Sequence, residues 1–274
     1  MSTNKLGTLG LYKSPVRMSD FLIDNFLEGV DDGGQEISYR DDMTPVKNQG
    51  RKGACVGFAY VGVKEYQEFE ETGKVLDLSE QYLYERARVE SGHSEGTTMK
   101  AGATILREMG VPLEKYWRYT DNKENIGRPK DGANKNAKVY RVNKTIYTRI
   151  RSHTQLRAAL LEFGPIGIGV KVYSNWYRQK KGHIPTASIC ERAKGVLGGH
   201  AICLVGHSPE NKEYCFKNSW SELWGDAGYG YITETDMKRT FMDGFALVDI
   251  ENEEIPYVAR VMGLPEKEQM RLFA

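Results

Sequence analysis

The sequence has few cysteines and no long apolar run, and each shortage excludes a class of protein. No apolar run approaches the roughly 20 residues that a membrane-spanning helix needs, and the first residues lack the continuous apolar core of a secretory signal. The four cysteines form no CxxC pair, so a zinc site of the usual spacing is absent. We therefore expect no membrane partner, no metal ion and a cytoplasmic location, unless a leader was removed.

An excess of charge of either sign is also missing. The chain has 38 Lys and Arg against 37 Asp and Glu, a formal net charge of +1. Proteins that bind nucleic acid usually carry a clustered positive surplus, so we expect no nucleic-acid partner. With 274 residues, 40% of them hydrophobic, the chain is long enough for one large domain or for two small ones around a shared cleft.

What the sequence does contain is a set of four side chains typical of acyl-transfer catalysis by cysteine. The segment TPVKNQGRKGACVGFAY places Gln49 upstream of Cys55, with Gly50 and Gly53 between them. Far downstream, GGHAICLVGH contains His200 and CFKNSWSELWG contains Asn218. That chemistry requires a thiol nucleophile, an imidazole base, an amide that orients the base and a second amide that binds an oxyanion.

Together the three segments resemble those of the papain-like cysteine peptidases, and the resemblance extends over residues 38–250. It implies an α+β fold of the papain-like two-lobed type. One lobe is helical, the other is an antiparallel β-barrel-like lobe, and the active site lies in the cleft between them. The resemblance also implies a peptide or protein substrate and no metal or organic cofactor.

Each of the four side chains acquires a role from this resemblance. Cys55 forms a thioester acyl-enzyme, and Gln49 binds the oxyanion together with the Cys55 N–H. His200 protonates the leaving amine and later activates water, while Asn218 accepts a hydrogen bond from its ring. Trp220 shields that bond from water. Cys55 also begins a predicted helix, whose positive amino-terminal end favours a thiolate.

The same resemblance suggests residues that bind the substrate. Gly96 and Thr97 present backbone groups to an extended peptide, which pairs with them as an added strand. Gly169 and Ala201 line the pocket for the second side chain before the cut. Because both are small, we expect this pocket to be roomy.

Some positions depart from the family pattern. Lys52 stands where secreted relatives have a disulfide cysteine. The lack of the disulfide bonds of those relatives favours a reducing compartment for this protein. Arg51 and Lys52 add two positive charges beside the cleft, which either favour acidic substrates or are simply solvated. A bond between Cys203 and Cys215 stays open as an alternative, because adjacent predicted strands carry them.

Helix signals dominate the first half of the chain and strand signals the second, which indicates an α+β protein with two unlike halves. Apolar spacing, capping residues and terminal glycines predict helices at residues 55–72, 78–90, 97–110 and 154–165. Strand patterns occur at residues 139–150, 166–173, 200–207, 213–220 and 228–233.

These signals divide the chain into four parts. We predict an amino-terminal arm at 1–37, a helical lobe with the nucleophile at 38–138, a β-rich lobe with the histidine and asparagine at 139–250, and a tail at 251–274. Within the arm, SDFLIDNFLEG (residues 19–29) predicts a short helix that a linker follows. Our hypothesis is that the arm lies across the cleft as a short blocking segment, or packs beside it.

Three functions fit the residues. The first is a cysteine peptidase that hydrolyses peptide bonds through a thioester intermediate. The second uses the same side chains for acyl transfer or deamidation on a dedicated protein or precursor-peptide partner. The third is a non-catalytic peptide-binding module on a peptidase-like scaffold. The sequence does not separate hydrolysis from acyl transfer, since both need the same triad.

Overall fold

The structure, a computed structural model, describes residues 7–16, 21–22, 27, 30, 33–142 and 148–247. The tail predicted at 251–274 and most of the short helix predicted at 19–29 lie outside these residues. None of the helices in the described part is both long enough and apolar enough to cross a membrane.

The helices of the first half begin and end at the residues that the local signals indicate. Cys55 begins the first helix, and Gly73 ends it with a φ of 66°, a left-handed conformation that costs glycine little. The second helix follows Ser79, whose hydroxyl accepts the Tyr82 N–H. The helices of the described residues are α1 (Cys55–Thr72), α2 (Glu80–Ser91), α3 (Met99–Glu108), α4 (Ala133–Ala137), α5 (Leu156–Phe163), α6 (Ile189–Ala193) and α7 (Glu234–Thr240).

A single, mostly antiparallel sheet contains the strands of the described residues. They are β1 (Leu11–Tyr12), β2 (Phe21–Leu22), β3 (Ile37–Ser38), β4 (Thr97–Thr98), β5 (Thr148–Ile150), β6 (Ile166–Val172), β7 (His183–Ile184), β8 (Gly198–Ser208), β9 (Glu213–Lys217), β10 (Tyr229–Thr233) and β11 (Phe241–Ala246). The main order is β2-β5-β11-β6-β8-β9-β10-β7. Strands β1 and β3 pair with β8, and β4 pairs with β1.

Strand β8 is buried on both faces. Ala201, Cys203 and Val205 belong to one apolar core with α1, α2 and α3, whereas Ile202 and Leu204 belong to a second core with α5. Alternate side chains of a strand point to opposite faces, so the continuous apolar run AICLVG reflects two covered faces. The sheet therefore lies between the helices of the first half and α5.

This arrangement brings the nucleophile helix to the strand that carries the histidine. The β6–β8 register pairs Gly169 with Ala201 and Val170 with His200. Because α1 packs on β8, its first residue, Cys55, lies beside the start of that strand. The predicted helix of Cys55 and the predicted strand of His200 come together only because α1 packs on the sheet.

Two sequence predictions are wrong in part. The strand predicted at 139–150 is present only as β5, since residues 138–140 form a 3-10 turn and 143–147 lie outside the described residues. The helix predicted at 19–29 does not include Phe21–Leu22, which form β2 and pair in parallel with β5. An open strand edge offers backbone hydrogen bonds, and tertiary pairing of this kind overrides a short apolar pattern.

All four cysteines are free. Cys203 and Cys215 lie on neighbouring strands, but Cys203 pairs with Lys217 and Cys215 with Gly206. The two side chains are therefore offset along the ladder. The alternative of a bond between them does not apply to this structure.

Lys52 is buried, so neither interpretation of it as a charge beside the cleft is right. Its side chain is 4% exposed, and Nζ lies 3.1 Å from Glu85 Oε1 and 3.0 Å from Gln81 Oε1. The ammonium also lies over the rings of Tyr84 and Tyr119, at 5.5 and 5.4 Å from their centroids. An ion pair to α2 therefore occupies the position at which the resemblance implies a disulfide cysteine.

Replacing Lys52 with Met should lower the free energy of unfolding by about 3 kcal/mol, because Glu85 would lose a buried partner. Chemical denaturation measures this. The matched control is Arg51→Met at the next position, where the side chain is 81% exposed. That change should stay within about 0.5 kcal/mol of the native value. Equal losses for the two variants would show that the Lys52 ion pair contributes nothing specific.

Candidate active site

Cys55 lies at the first position of α1 and is fully buried. The backbone N–H groups of Ala201, Gly10, Val56 and Cys55 itself lie near its sulfur. Burial raises the pKa of the thiol, and these four donors act in the opposite direction. One of the donors belongs to the strand of His200, and another belongs to the amino-terminal arm.

His200 and Asn218 form the hydrogen bond that the sequence predicts. His200 Nε2 lies 2.8 Å from Asn218 Oδ1, and both residues are buried. Because an amide oxygen only accepts, this bond places the proton on Nε2 and leaves the lone pair on Nδ1. The Trp220 ring stacks on the imidazole at 4.4 Å between centroids.

In this structure the thiol and the imidazole do not form an ion pair. His200 Nδ1 has no hydrogen-bond partner among the described residues. Burial lowers the pKa of His200 to about 4, although the bond to Asn218 raises it. With the thiol pKa raised, both directions favour the neutral forms. The helix terminus alone therefore does not offset the effect of burial on the pKa of the thiol.

Three hydrogen bonds fix the side chain of Gln49, which is fully buried. Oε1 accepts the Ser219 hydroxyl at 2.6 Å. Nε2 donates to the Lys52 carbonyl at 2.8 Å and to the Thr8 carbonyl at 2.8 Å. The amide donor thus already holds a peptide carbonyl, in the role that the sequence assigns to it for an oxyanion.

Ser219 is a positioning residue that the sequence analysis did not identify. Besides its hydroxyl bond to Gln49, its carbonyl accepts the Gln49 N–H at 2.9 Å. Its own N–H donates to Asn218 Oδ1 at 2.9 Å. One serine therefore connects the amide of the oxyanion site to the amide that orients the imidazole. Its place in the NSW segment is the signal that could have indicated it.

The arm lies across all of these groups. Gly7 contacts the Trp220 ring, Thr8 binds Gln49, and the Gly10 N–H lies near the Cys55 sulfur. Leu11 then pairs in parallel with Thr97 and antiparallel with Gly199, which makes β1 a bridge between β4 and β8.

The residues predicted to bind substrate contact this arm. Thr97 N–H donates to the Gly10 carbonyl at 2.9 Å, as expected for an edge that binds an extended peptide. The Gly96 backbone approaches Gly10 so closely that a Cβ there would overlap the Gly10 carbonyl, but the Gly96 N–H donates to the Tyr84 hydroxyl. Gly169 faces the Leu11 side chain.

The arm runs opposite to the direction of a substrate. In a substrate, the side chain that enters the pocket at Gly169 comes before the carbonyl that is attacked. In the arm, Thr8 offers the carbonyl to Gln49, and Leu11, which enters the pocket, comes after it. Between these two residues, the Gly10 N–H lies near the Cys55 sulfur.

A metal has no evident place near these groups. The described residues contain no cluster of three or more His, Cys, Asp or Glu side chains that could hold an ion.

The other buried histidine on β8, His207, is engaged with Arg157 at 2.9 Å and Glu234 at 2.8 Å. His200 is therefore the histidine that lies beside the thiol.

The geometry agrees with a comparison against protein families. The model of the papain family cysteine proteases matches residues 34–247. This chain belongs to the papain family. Solved structures with the papain-like fold confirm the α+β architecture. Xylellain, a cysteine protease from Xylella fastidiosa, superimposes with a TM-score of 0.75 at 21% identity, over 89% of this chain and 96% of that one.

The other relatives either are longer than this chain or superimpose on it with a lower TM-score. Cathepsin F from Mus musculus is 30% identical over 193 residues, which is 69% of this chain but 40% of that protein. Cathepsin K from Mus musculus is 28% identical over 72% of this chain and 58% of its own length. The proform of the ragweed allergen Amb a 11 has a TM-score of 0.62 at 20% identity, over 84% of this chain and 70% of that one. The chain thus spans about half the length of the two cathepsins.

Proposed function

We propose that the chain is a cysteine peptidase that hydrolyses peptide bonds. The observation that carries the proposal is the Thr8 carbonyl bound at 2.8 Å to Gln49 Nε2, in the same cleft as the Cys55 sulfur. A peptide carbonyl thereby occupies the place that an oxyanion needs. The β4 edge pairs with the same segment, which supports an extended peptide as the ligand.

In the proposed reaction the arm is displaced, the Cys55 thiol gives its proton to His200, and the resulting thiolate attacks the carbonyl carbon, whose electrons move to the oxygen. Gln49 Nε2 and the Cys55 N–H stabilise this oxyanion. When it collapses, the C–N bond breaks and His200, as imidazolium, gives its proton to the leaving amine. Water then loses a proton to His200 and attacks the thioester, and the C–S bond breaks to release the acid product and the Cys55 thiolate beside the His200 imidazolium. Asn218 keeps the imidazole oriented throughout.

The test is cleavage of a diverse peptide library, followed by mass spectrometry. A parallel sample is treated first with iodoacetamide to block the thiol. Cuts that disappear after alkylation support a peptidase, and the flanking residues report its side-chain pocket. Amide side chains converted to acids without a break would favour the deamidation alternative. Unchanged peptides, with a thiol that alkylates readily, would favour the binding module.

We also propose that the arm keeps the resting enzyme closed. Residues 7–12 cover the sulfur, the oxyanion donor and the Gly169 pocket at the same time. Because the arm runs backwards, it offers no carbonyl carbon to Cys55 and is not a substrate in this pose. Access for a peptide then requires displacement of the arm.

Gly10→Ala should open the cleft. A Cβ on Gly10 would overlap backbone atoms of Gly53, which cannot rotate away as a flexible side chain could. Overpacking of this kind costs about 1–3 kcal/mol, so the alkylation rate of Cys55 should rise about ten- to a hundredfold. Iodoacetamide labelling with peptide mapping distinguishes Cys55 from the exposed Cys190.

The matched control for this variant is Gly62→Ala on α1. There an added Cβ finds its nearest neighbours at 3.9 Å, an ordinary contact. Labelling of Cys55 should be unchanged in that variant. A Gly10→Ala protein that labels no faster than Gly62→Ala would contradict the closed resting state.

For location, we propose a reducing compartment such as the cytoplasm. Support comes from the four free thiols and from the Lys52–Glu85 ion pair at the position of a disulfide cysteine. Mass spectrometry of the protein trapped with an alkylating reagent in cells would show four modified cysteines. Disulfide-linked peptides would contradict this proposal.

A further inference from the structure

The two hydrogens on Gln49 Nε2 have different acceptors. One is donated to the Lys52 carbonyl at 2.8 Å, and the other to the Thr8 carbonyl of the arm, also at 2.8 Å. A flipped amide would instead place its own oxygen against both carbonyl oxygens. Because the NH2 group is planar, the Lys52 carbonyl that holds one hydrogen directs the other toward the place of the oxyanion.

The side chain of Lys52 anchors this carbonyl to the helical lobe. Its buried ammonium lies 3.0 Å from Gln81 Oε1 and 3.1 Å from Glu85 Oε1, both on α2. Gln81 Nε2 also donates to Glu85 Oε1 at 3.0 Å, so the two acceptors hold each other in place. The loop of residues 49–54, here called the oxyanion loop, is therefore fixed to α2 through the ammonium.

The same ammonium lies over two tyrosine rings that serve different parts of the cleft. Tyr119, at 5.4 Å from Lys52 Nζ to the ring centroid, donates its hydroxyl to the Gln49 carbonyl at 2.7 Å. Tyr84, at 5.5 Å, accepts the Gly96 N–H with its hydroxyl at 3.1 Å. One cation thus connects the oxyanion loop to the segment that leads into β4.

We infer that Lys52 is a positioning residue for catalysis, whose buried ammonium fixes the carbonyl that aims the Gln49 amide at the oxyanion. This inference rests on the proposed peptidase function and adds a residue to its machinery. A displacement of about 1 Å at a catalytic group can cost about a hundredfold in rate, so the anchor of the amide matters. The ion pair has this role at a position where the resemblance implies a disulfide cysteine.

The first test measures kcat on a peptide that the native chain or Gly10→Ala cleaves. Lys52→Met should lower kcat at least about tenfold without raising KM, because the amide binds the oxyanion only as the oxyanion forms. In a Gln49→Ala background, the same change should lower kcat less than about twofold, since no amide is left to aim. Equal falls in the two backgrounds would overturn the inference.

A milder variant keeps all the buried charges. Tyr119→Phe removes only the hydroxyl that holds the Gln49 carbonyl, and kcat should fall about fivefold with native Gln49. The matched control is Tyr82→Phe on α2, whose hydroxyl donates to Asn134 Oδ1 at 2.7 Å. That control should leave kcat unchanged, and an equal fall in both variants would contradict a role through the oxyanion loop.

The second test needs no turnover and uses the full chain. Alkylation of Cys55 reports how often the arm opens, and the fully buried Cys203 reports global unfolding. Lys52→Met frees the amide that holds the Thr8 carbonyl, so the ratio of Cys55 to Cys203 labelling should rise at least about fivefold. With Gln49→Ala, the rise should stay below about twofold.

Equal rises of this labelling ratio in the two backgrounds would overturn the action of Lys52 through Gln49. Failure of the native chain and of Gly10→Ala to cleave any peptide would instead count against the proposed function. The alkylation cycle would still decide whether Lys52 positions the amide.

Discussion

Replacing Cys55 with Ala is expected to reduce peptide cleavage by about 10⁴-fold or more, to the level of the uncatalysed reaction. The thiol forms the covalent bond in the proposed mechanism, and no other described residue of the cleft supplies a nucleophile. Loss of the nucleophile from a triad that acts as a unit has effects of this size. The measurement is kcat/KM on a peptide that the native chain or Gly10→Ala cleaves.

The matched control for this prediction is Cys190→Ala. Cys190 is an exposed free cysteine on α6. Its replacement should leave kcat/KM unchanged, and iodoacetamide should still inactivate that variant. If Cys55→Ala retained substantial cleavage, the covalent mechanism would be wrong, whatever the effect at Cys190.

Gln49→Ala should lower kcat by about 10²–10³-fold, because one of two proposed oxyanion donors is lost. The alkylation rate of Cys55 should not fall in parallel. Gln49 Nε2 also holds the Thr8 carbonyl of the arm, so its removal loosens the cover and favours faster labelling. The two readouts thus move in different directions, which a general disruption of the site would not produce.

Ser219→Ala provides a graded comparison for this prediction. It removes the 2.6 Å hydroxyl bond to Gln49 Oε1 but keeps both Nε2 donors. We expect a smaller fall in kcat than for Gln49→Ala, with the KM changed little. A larger fall in Ser219→Ala would place the main effect in the connection to Asn218 and not in the oxyanion donor.

The confirmed α+β fold shows which helices and strands can be predicted from local sequence signals. The bounds of α1 are encoded within the helix, since Gly73 ends it and the apolar spacing runs through it. Helix α7 was not predicted, although Thr233 caps it and Glu234 and Asp236 stand in its first turn. Strand β11 was not predicted either, since its residues follow α7 directly and no turn signal separates the two elements.

Lys52 illustrates what local reasoning misses. Lysine in a loop segment is usually solvated, and nothing within a few residues indicates otherwise. Its burial depends on Gln81 and Glu85 of α2 and on the rings of Tyr84 and Tyr119. Four partners from distant positions offset the cost of removing one ammonium from water.

By itself, the sequence determined which chemical groups are available and in what order. Gln49, Cys55, His200 and Asn218 are recognisable because each lies in a segment whose neighbouring residues constrain its local backbone. Family membership follows from those segments and is confirmed over residues 34–247. The position of Cys55 at a helix start likewise depends only on nearby residues.

Only the tertiary structure decided the state of the site and the shape of its pocket. The Ser14–Asp243 bond joins positions 229 residues apart, and no local pattern specifies such a contact. The backward course of the arm, the raised pKa of Cys55, the lowered pKa of His200 and the carboxylate beside Gly169 all arise from long-range packing. Local signals fix turns and helix ends over a few residues, whereas burial and proton affinity depend on every element that packs around a group.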